Sequence, residues 1–230
     1  SGIVDAHELM ARLLAIAHTT GRCDFAWQHA IVRAEPIAGG YLLCARDAVG
    51  METELRARAV IDAAGLASDE IAAAIGIDVD AAGYRQRWVK GSYFRVRGAG
   101  RVRSLIYPVP PPGLAGLGVH LTLELDGSVR LGPDVEVLDE RRADYDVPES
   151  ARERFFTAAA RYLRGLTPED LTPDQAGIRP KLISTDGAPR DFVIAEESAR
   201  GLPGWTSLIG IESPGLTCAL EIADMVAAML

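Results

Sequence analysis

The segment from Leu208 to Val226, LIGIESPGLTCALEIADMV, runs an apolar strand-like stretch into Gly-x-Glu-Ser-Pro-Gly and then into a helix-patterned stretch. The first four amides of a helix have no acceptor within it, so a strand, a glycine turn and a helix start leave N–H groups around one concave surface. That surface suits an electron-rich ligand. A second series of the same kind lies far upstream in RAVIDAAGLASDEIAAAIGI, where Ala59 to Gly65 is apolar on both sides and turns through Ala63, Ala64 and Gly65. Small residues there let a backbone approach a phosphate or ribose closely, and Ser68 is placed to cap the helix that follows. An ordinary strand-to-helix turn reads equally well from this fragment alone.

Between these two series the texture differs. VDAHELMARLLAIAHTTG spaces Leu9, Leu13, Leu14 and Ala17 on one helical face, with Asp5 as cap, Glu8 three residues on and Gly21 at the end. DFAWQHAIVRAEPI, GYLLCAR and ELRARAVIDAAG predict a small meander and then a buried strand. From about residue 80 to 138 longer strands are expected in RQRWVKGSYFRVRG, RSLIYPVP and GLGVHLTLELDGSVRLGPDVEVL, with a hairpin at Asp126-Gly127. PESARERFFTAAARYLRGL predicts a helix with Phe155, Phe156, Ala159 and Leu163 inward, and AGIRPKLIS, DFVIAEES and WTSLIGI predict three further strands. The expected class is α/β (α+β), with residues 1–79 and 205–230 in one domain and an antiparallel sheet over residues 80–204 in the other.

A formal net charge of −8 without a basic patch argues against nucleic acid or an anionic membrane as the partner. The three cysteines, Cys23, Cys44 and Cys218, are far apart and lack Cys/His ligand spacing, so neither a metal site nor a disulfide framework is indicated and a cytoplasmic protein is expected. No apolar run approaches the roughly 18 to 20 residues that span a bilayer. Nucleophile-elbow, HExxH and Walker patterns are all missing from these residues, as is G-x-G-x-x-G.

Several residues still carry chemistry. Arg179 precedes Pro180, which stiffens the backbone beside a planar bidentate donor, and it reads either as a carboxylate clamp or as a surface arginine in a salt bridge. Lys181 reads as solvated. His120 interrupts an apolar alternating strand, where an imidazole is either a base working near neutral pH or a satisfied boundary residue. Lys90, Tyr93 and Tyr107 read as packing groups or as the wall of a pocket.

In order along the chain, SGIVDAHELM, VIDAAGLAS, KGSYF, LIYPVP, GLGVHLTLELDG, GPDVE, AGIRPKL, DFVI and GIESPGLT resemble the flavin-dependent oxidoreductases of the D-amino-acid oxidase superfamily, most closely the L-2-hydroxyglutarate oxidase and dehydrogenase group. The resemblance implies a partial FAD-binding, Rossmann-like domain intertwined with a substrate domain. It also implies hydride transfer from a 2-hydroxy acid to FAD, with the protein supplying position and electrostatics. On that basis Gly210, Glu212, Ser213, Pro214, Gly215, Leu216 and Thr217 wrap the pyrimidine side of the flavin. Ala63, Ala64 and Gly65 approach the phosphate and ribose, and Ala30 borders the adenine. Arg179 grips the substrate carboxylate, His120 accepts the hydroxyl proton, and Lys90, Tyr93 and Tyr107 line the substrate side. The family opens with a glycine-rich dinucleotide-binding segment that precedes the part matched here. The chain therefore resembles a C-terminal portion, expected to hold FAD weakly or not at all by itself, with the remainder on the same or another polypeptide. An amino-acid or amine oxidase and a non-catalytic binding module are the alternatives, and the electron acceptor stays open.

Overall fold

The computed structural model describes residues 2–98, 102–109, 118–184, 187–188 and 190–230. Ser1 and most of the glycine-rich stretch before His120 therefore lie outside the described residues. The chain divides into two units, each discontinuous in sequence: Ser1–Phe25 with Lys90–Ile178, and Ala26–Val89 with Arg179–Leu230.

The first unit begins with α1 (Ala6–Thr19). Asp5 caps it by accepting from the amides of His7 and Glu8 at 2.9 and 3.0 Å, as the sequence predicts. No residue of α1 is buried, although Leu9, Leu14 and Ala17 are half-covered along the expected face.

The second unit opens with a meander of β1 (Ala30–Ile37), β2 (Gly40–Arg46) and β3 (Glu52–Ala57), paired antiparallel in that order. Gly40 is obligatory at its turn, because its φ is 152° and a Cβ there would sit 2.1 Å from the Ala57 carbonyl oxygen. Next come β4 (Val60–Asp62) and α2 (Ser68–Ala74). Ala67, not Ser68, is the cap residue of α2; the Ser68 hydroxyl instead donates to the Gly65 carbonyl at 2.8 Å.

The long strand β5 (Gln86–Val96) carries the chain from the second unit into the first. There β6 (His120–Leu123) and β7 (Val129–Gly132) form the hairpin expected around Asp126-Gly127, β7 pairs antiparallel with β5, and β8 (Glu136–Val137) completes the path. The stretch RSLIYPVP is not a strand: among the described residues it makes only a bridge from Ile106 to Leu121. Pro108 has no N–H to offer a ladder, which ends pairing there. The helix expected from Pro148 to Leu166 is also shorter, as a 3-10 turn followed by α3 (Arg152–Ala159). Phe155 and Ala159 are fully buried in the first unit's core with Phe94, Leu121, Val129, Leu131 and Leu171.

The long strand β9 (Leu171–Leu182) pairs with β5 and returns the chain to the second unit. Here β10 (Val193–Glu196) pairs antiparallel with β11 (Trp205–Ile209), β11 pairs parallel with β4, and α4 (Gly215–Ala227) closes the chain. The core gathers Tyr41, Ala72, Tyr84, Trp205 and Ile209. Beside it, the buried Glu197 carboxylate accepts from the Tyr84 hydroxyl at 2.9 Å and from Arg200 at 2.6 Å.

The unit borders fall inside β5 and β9, whereas the sequence reading put them at 79/80 and 204/205 and grouped α1 with the closing strand and helix. The reason is that β5 runs on unbroken while its partners change. The β5 residue Gln86 bonds the α2 region, and residues 94–96 of the same strand bond β7.

Candidate functional site

In the second unit β4 and β11 run parallel, with Val60 opposite Trp205, Ile61 opposite Thr206 and Asp62 opposite Ser207. Both strands end at the same edge and both turn through a left-handed glycine, Gly65 at φ 60° and Gly210 at φ 74°. Carboxyl ends of parallel strands, each followed by a helix start, are where open α/β sheets bind ligands. Ala63, Gly65, Ile211, Gly215 and Ala219 line one cavity of about 520 Å³ there, continued by apolar residues of α4. Such a wall suits a flat apolar ring or a packed chain segment.

Both turn glycines of the closing motif are required by close approach. A Cβ on Gly210 would lie 2.6 Å from Leu182 Cγ, and one on Gly215 would lie 2.5 Å from Ile211 Cγ2. No side chain caps α4, whose cap residue is Pro214; the Gly215 amide donates to the Glu212 carbonyl, and among the described residues the amides of Leu216 and Thr217 are left as donors for something else. A 13-residue helix adds its positive dipole end at the same place.

The upstream turn is held by a polar network. Gln86 Nε2 donates to the Gly65 carbonyl at 3.2 Å and to Ser68 Oγ at 2.8 Å, and the buried Asp69 carboxylate accepts from the Gln86 amide at 3.1 Å. Beside it Asp62 ends β4 with only 4% of its surface exposed. One carboxyl oxygen accepts from the Ala64 amide at 3.1 Å, and the other has no hydrogen-bond partner among the described residues. Burial, with a smaller contribution from nearby Asp69, pushes its pKa up to about 7. The sequence reading gave Asp62 no role; an acid at the end of an otherwise apolar strand was the available signal.

Arg179 is half-buried, and its side chain makes no hydrogen bond or ion pair among the described residues. Two residues on, Lys181 does not behave as a solvated lysine. Its Nζ donates to Glu212 Oε1 at 2.7 Å, with the two side chains 25% and 17% exposed. The strand end bearing Arg179 is thus fastened to the turn that precedes α4.

In the first unit His120 opens β6, half-buried, with Nδ1 3.2 Å from the Gly118 carbonyl oxygen. A carbonyl only accepts, so Nδ1 is the donor in this contact. The ring stacks on Tyr107 with centroids 4.5 Å apart. Lys90 is occupied: its buried ammonium donates to Asp144 at 2.8 Å, and the pair lines a cavity with Glu136, Arg142 and Tyr145 that includes neither His120 nor Tyr107. This pairing holds the Asp144 carboxyl below the usual range. Strand alternation puts Tyr93 on the face of β5 opposite Lys90, with its ring over Gly132, where a Cβ would meet it at 2.7 Å. The structure therefore joins His120 with Tyr107 and separates them from Lys90. It also joins Ala63, Gly65 and Gly215, and it leaves Ala30 exposed at the start of β1.

The family described as FAD dependent oxidoreductase matches residues 1–229. The mitochondrial L-2-hydroxyglutarate dehydrogenase of Arabidopsis thaliana is 38% identical over 190 residues, covering 76% of this chain and 38% of that protein. The L-2-hydroxyglutarate dehydrogenase of Salmonella houtenae is 29% identical over 204 residues, covering 74% and 46%. Among solved structures, L-alpha-glycerophosphate oxidase from Mycoplasma pneumoniae with FAD bound superposes with a TM-score of 0.76 at 24% identity, over 95% of this chain and 54% of that one. The chain thus spans less than half the length of these curated relatives.

Proposed function

The chain belongs to the FAD dependent oxidoreductase family, and from that membership we propose that, within a longer flavoprotein, it oxidises a 2-hydroxy acid of the L-2-hydroxyglutarate type to the 2-oxo acid. The observation that carries this reading is Arg179: a half-buried guanidinium without a partner among the described residues, on a strand end fixed to a glycine turn that opens a helix. A planar cation so held matches a carboxylate. The named relatives support the hydroxy-acid class.

The residues present fit a flavin. The start of α4 offers the amides of Leu216 and Thr217, Gly210 and Gly215 bring no side chain to the two ends of the turn, and the neighbouring cavity offers an apolar wall. In this reading Gly210, Glu212, Ser213, Pro214, Gly215, Leu216 and Thr217 hold the pyrimidine edge, and the positive end of α4 favours negative charge there. Ala63, Ala64 and Gly65 border the phosphate and ribose, and Ala30 the adenine. The chemistry supplied by bound FAD is acceptance of a hydride from the substrate C–H. This chain's residues do the rest. Arg179 binds the carboxylate and fixes which C–H is presented. His120, in the other unit, is proposed from the resemblance alone as the acceptor of the hydroxyl proton, and the Gly118 carbonyl holds its Nδ1. Tyr107 keeps the imidazole in plane by stacking, and Tyr93 lines the substrate side. Lys90 keeps its ammonium on Asp144, in a cavity that includes neither His120 nor Tyr107, and takes no substrate role in this reading.

Anaerobic addition of L-2-hydroxyglutarate to the full-length flavoprotein is expected to bleach the flavin absorbance, with the D isomer, glycerol 3-phosphate and a panel of amino acids inactive. Bleaching by amino acids alone would replace the reading with an amino-acid or amine oxidase. Bleaching by none of them would leave a binding module.

A further inference from the structure

Arg179 and Lys181 are two residues apart on β9, so strand alternation sets both side chains on one face, toward the side where Lys181 meets Glu212. Leu182, on the other face, closes on Gly210 so tightly that a Cβ there would come within 2.6 Å of it. The strand end thus grips the turn from both faces, between Gly210 and Glu212. An arginine side chain carries several rotatable bonds, and its head is placed only as well as the backbone beneath it. Pro180 removes one further freedom at that point.

Charge adds a second consequence. Glu212 is an anion beside the strand end that carries the guanidinium, and left alone it would oppose a substrate carboxylate arriving at Arg179. Lys181 neutralises it at 2.7 Å. We propose that the Lys181–Glu212 ion pair is a positioning device that locks the Arg179 strand end to the 210–215 turn and cancels the charge that would repel an anionic substrate. The proposal rests on Arg179 as the carboxylate clamp and assigns the residues that set its position. Lys181 touches neither cofactor nor substrate in this account, and Glu212 borders the flavin edge through its backbone only, its carboxylate being held by Lys181.

The test uses the full-length flavoprotein with four variants: Lys181→Met, Glu212→Gln, Lys181→Arg, and the exchange Lys181→Glu with Glu212→Lys. Lys181→Met is expected to raise KM for the hydroxy acid about tenfold while kcat stays within about threefold. Glu212→Gln should raise it less, because no stray anion remains. Lys181→Arg and the charge exchange should return KM to within about threefold of the parent. Hydrogen exchange gives a readout independent of turnover: the amides of residues 210–217 should exchange faster in the two single neutral variants and recover in the exchanged pair. A role in stability alone would lower the melting temperature of the variants and leave KM unmoved. An unchanged KM in Lys181→Met, or an exchanged pair no better than the single variants, would overturn the proposal. If no 2-hydroxy acid reduces the parent flavin, the activity reading falls, while the exchange rates of residues 210–217 still decide whether the ion pair holds the turn.

Discussion

Asp62→Asn should stabilise the chain at pH 8 and do little at pH 4.5. In the folded chain the Asp62 carboxyl stays protonated to about pH 7, because burial penalises its ionised form. In the unfolded chain it ionises near its ordinary 3.8. Between those two values the folded state binds the extra proton, so stability falls as pH rises through the window and levels off above about 7. At about 1.4 kcal/mol per unit, the ionised acid costs the folded state at most about 4 kcal/mol at pH 8. Local relaxation around Ser207 and Thr206, whose hydroxyls are also buried without partners among the described residues, will bring this nearer to about 2 kcal/mol. Asparagine keeps the oxygen that accepts from the Ala64 amide and cannot ionise. For a chain of this size the gain corresponds to about 4 to 15 °C in melting temperature at pH 8. Differential scanning calorimetry of parent and variant from pH 4.5 to 8.5 measures it directly, and subtracting the two curves cancels every other titrating group. A difference that does not change with pH would show that Asp62 ionises normally in the fold, and the burial argument would be wrong.

Gly210→Ala combines a left-handed backbone with a clash against Leu182 and should lose about 2 to 5 kcal/mol, while Gly50→Ala, at φ 90° with open space around it, should lose only about 1 to 2. Equal melting temperatures for these two variants would remove the packing half of the argument. His120→Ala in the full-length flavoprotein should slow flavin reduction by the hydroxy acid about 100-fold or more in stopped flow, with Tyr107→Phe nearly silent because only the ring stacks. An unchanged reduction rate in His120→Ala would take the imidazole out of the proton transfer.

Much of the architecture was legible in local pattern. The β1–β3 meander follows from alternating residues broken at Gly39-Gly40, and the β6–β7 hairpin from Asp126-Gly127. Both strand–turn–helix series lie where glycine and small residues put them. RSLIYPVP misled because its β-type composition outweighed a proline that cannot donate. Side-chain destinations were the least legible. Lys181 looked solvated since its partner, Glu212, is remote in sequence, and Lys90 looked available since Asp144 is as well. Asp62 is an unusual site because of what surrounds it, and no spacing rule encodes that. The unit borders differ from the expected domain bounds for the same reason, as nothing local in β5 marks where its partners change.

The pairing of β4 with β11 has a consequence for biosynthesis. During translation Val60 to Asp62 leave the ribosome long before Trp205 to Ser207, the residues they pair with, have been made. At roughly 5 to 20 residues per second the delay is on the order of 10 to 30 s. For that interval β4 has no β11 beside it and the turn at Ala63–Gly65 has no neighbouring turn, so the nascent chain is a natural client for chaperones that shield apolar strands. Slowing elongation downstream of β4 should lower the soluble yield more than slowing it upstream.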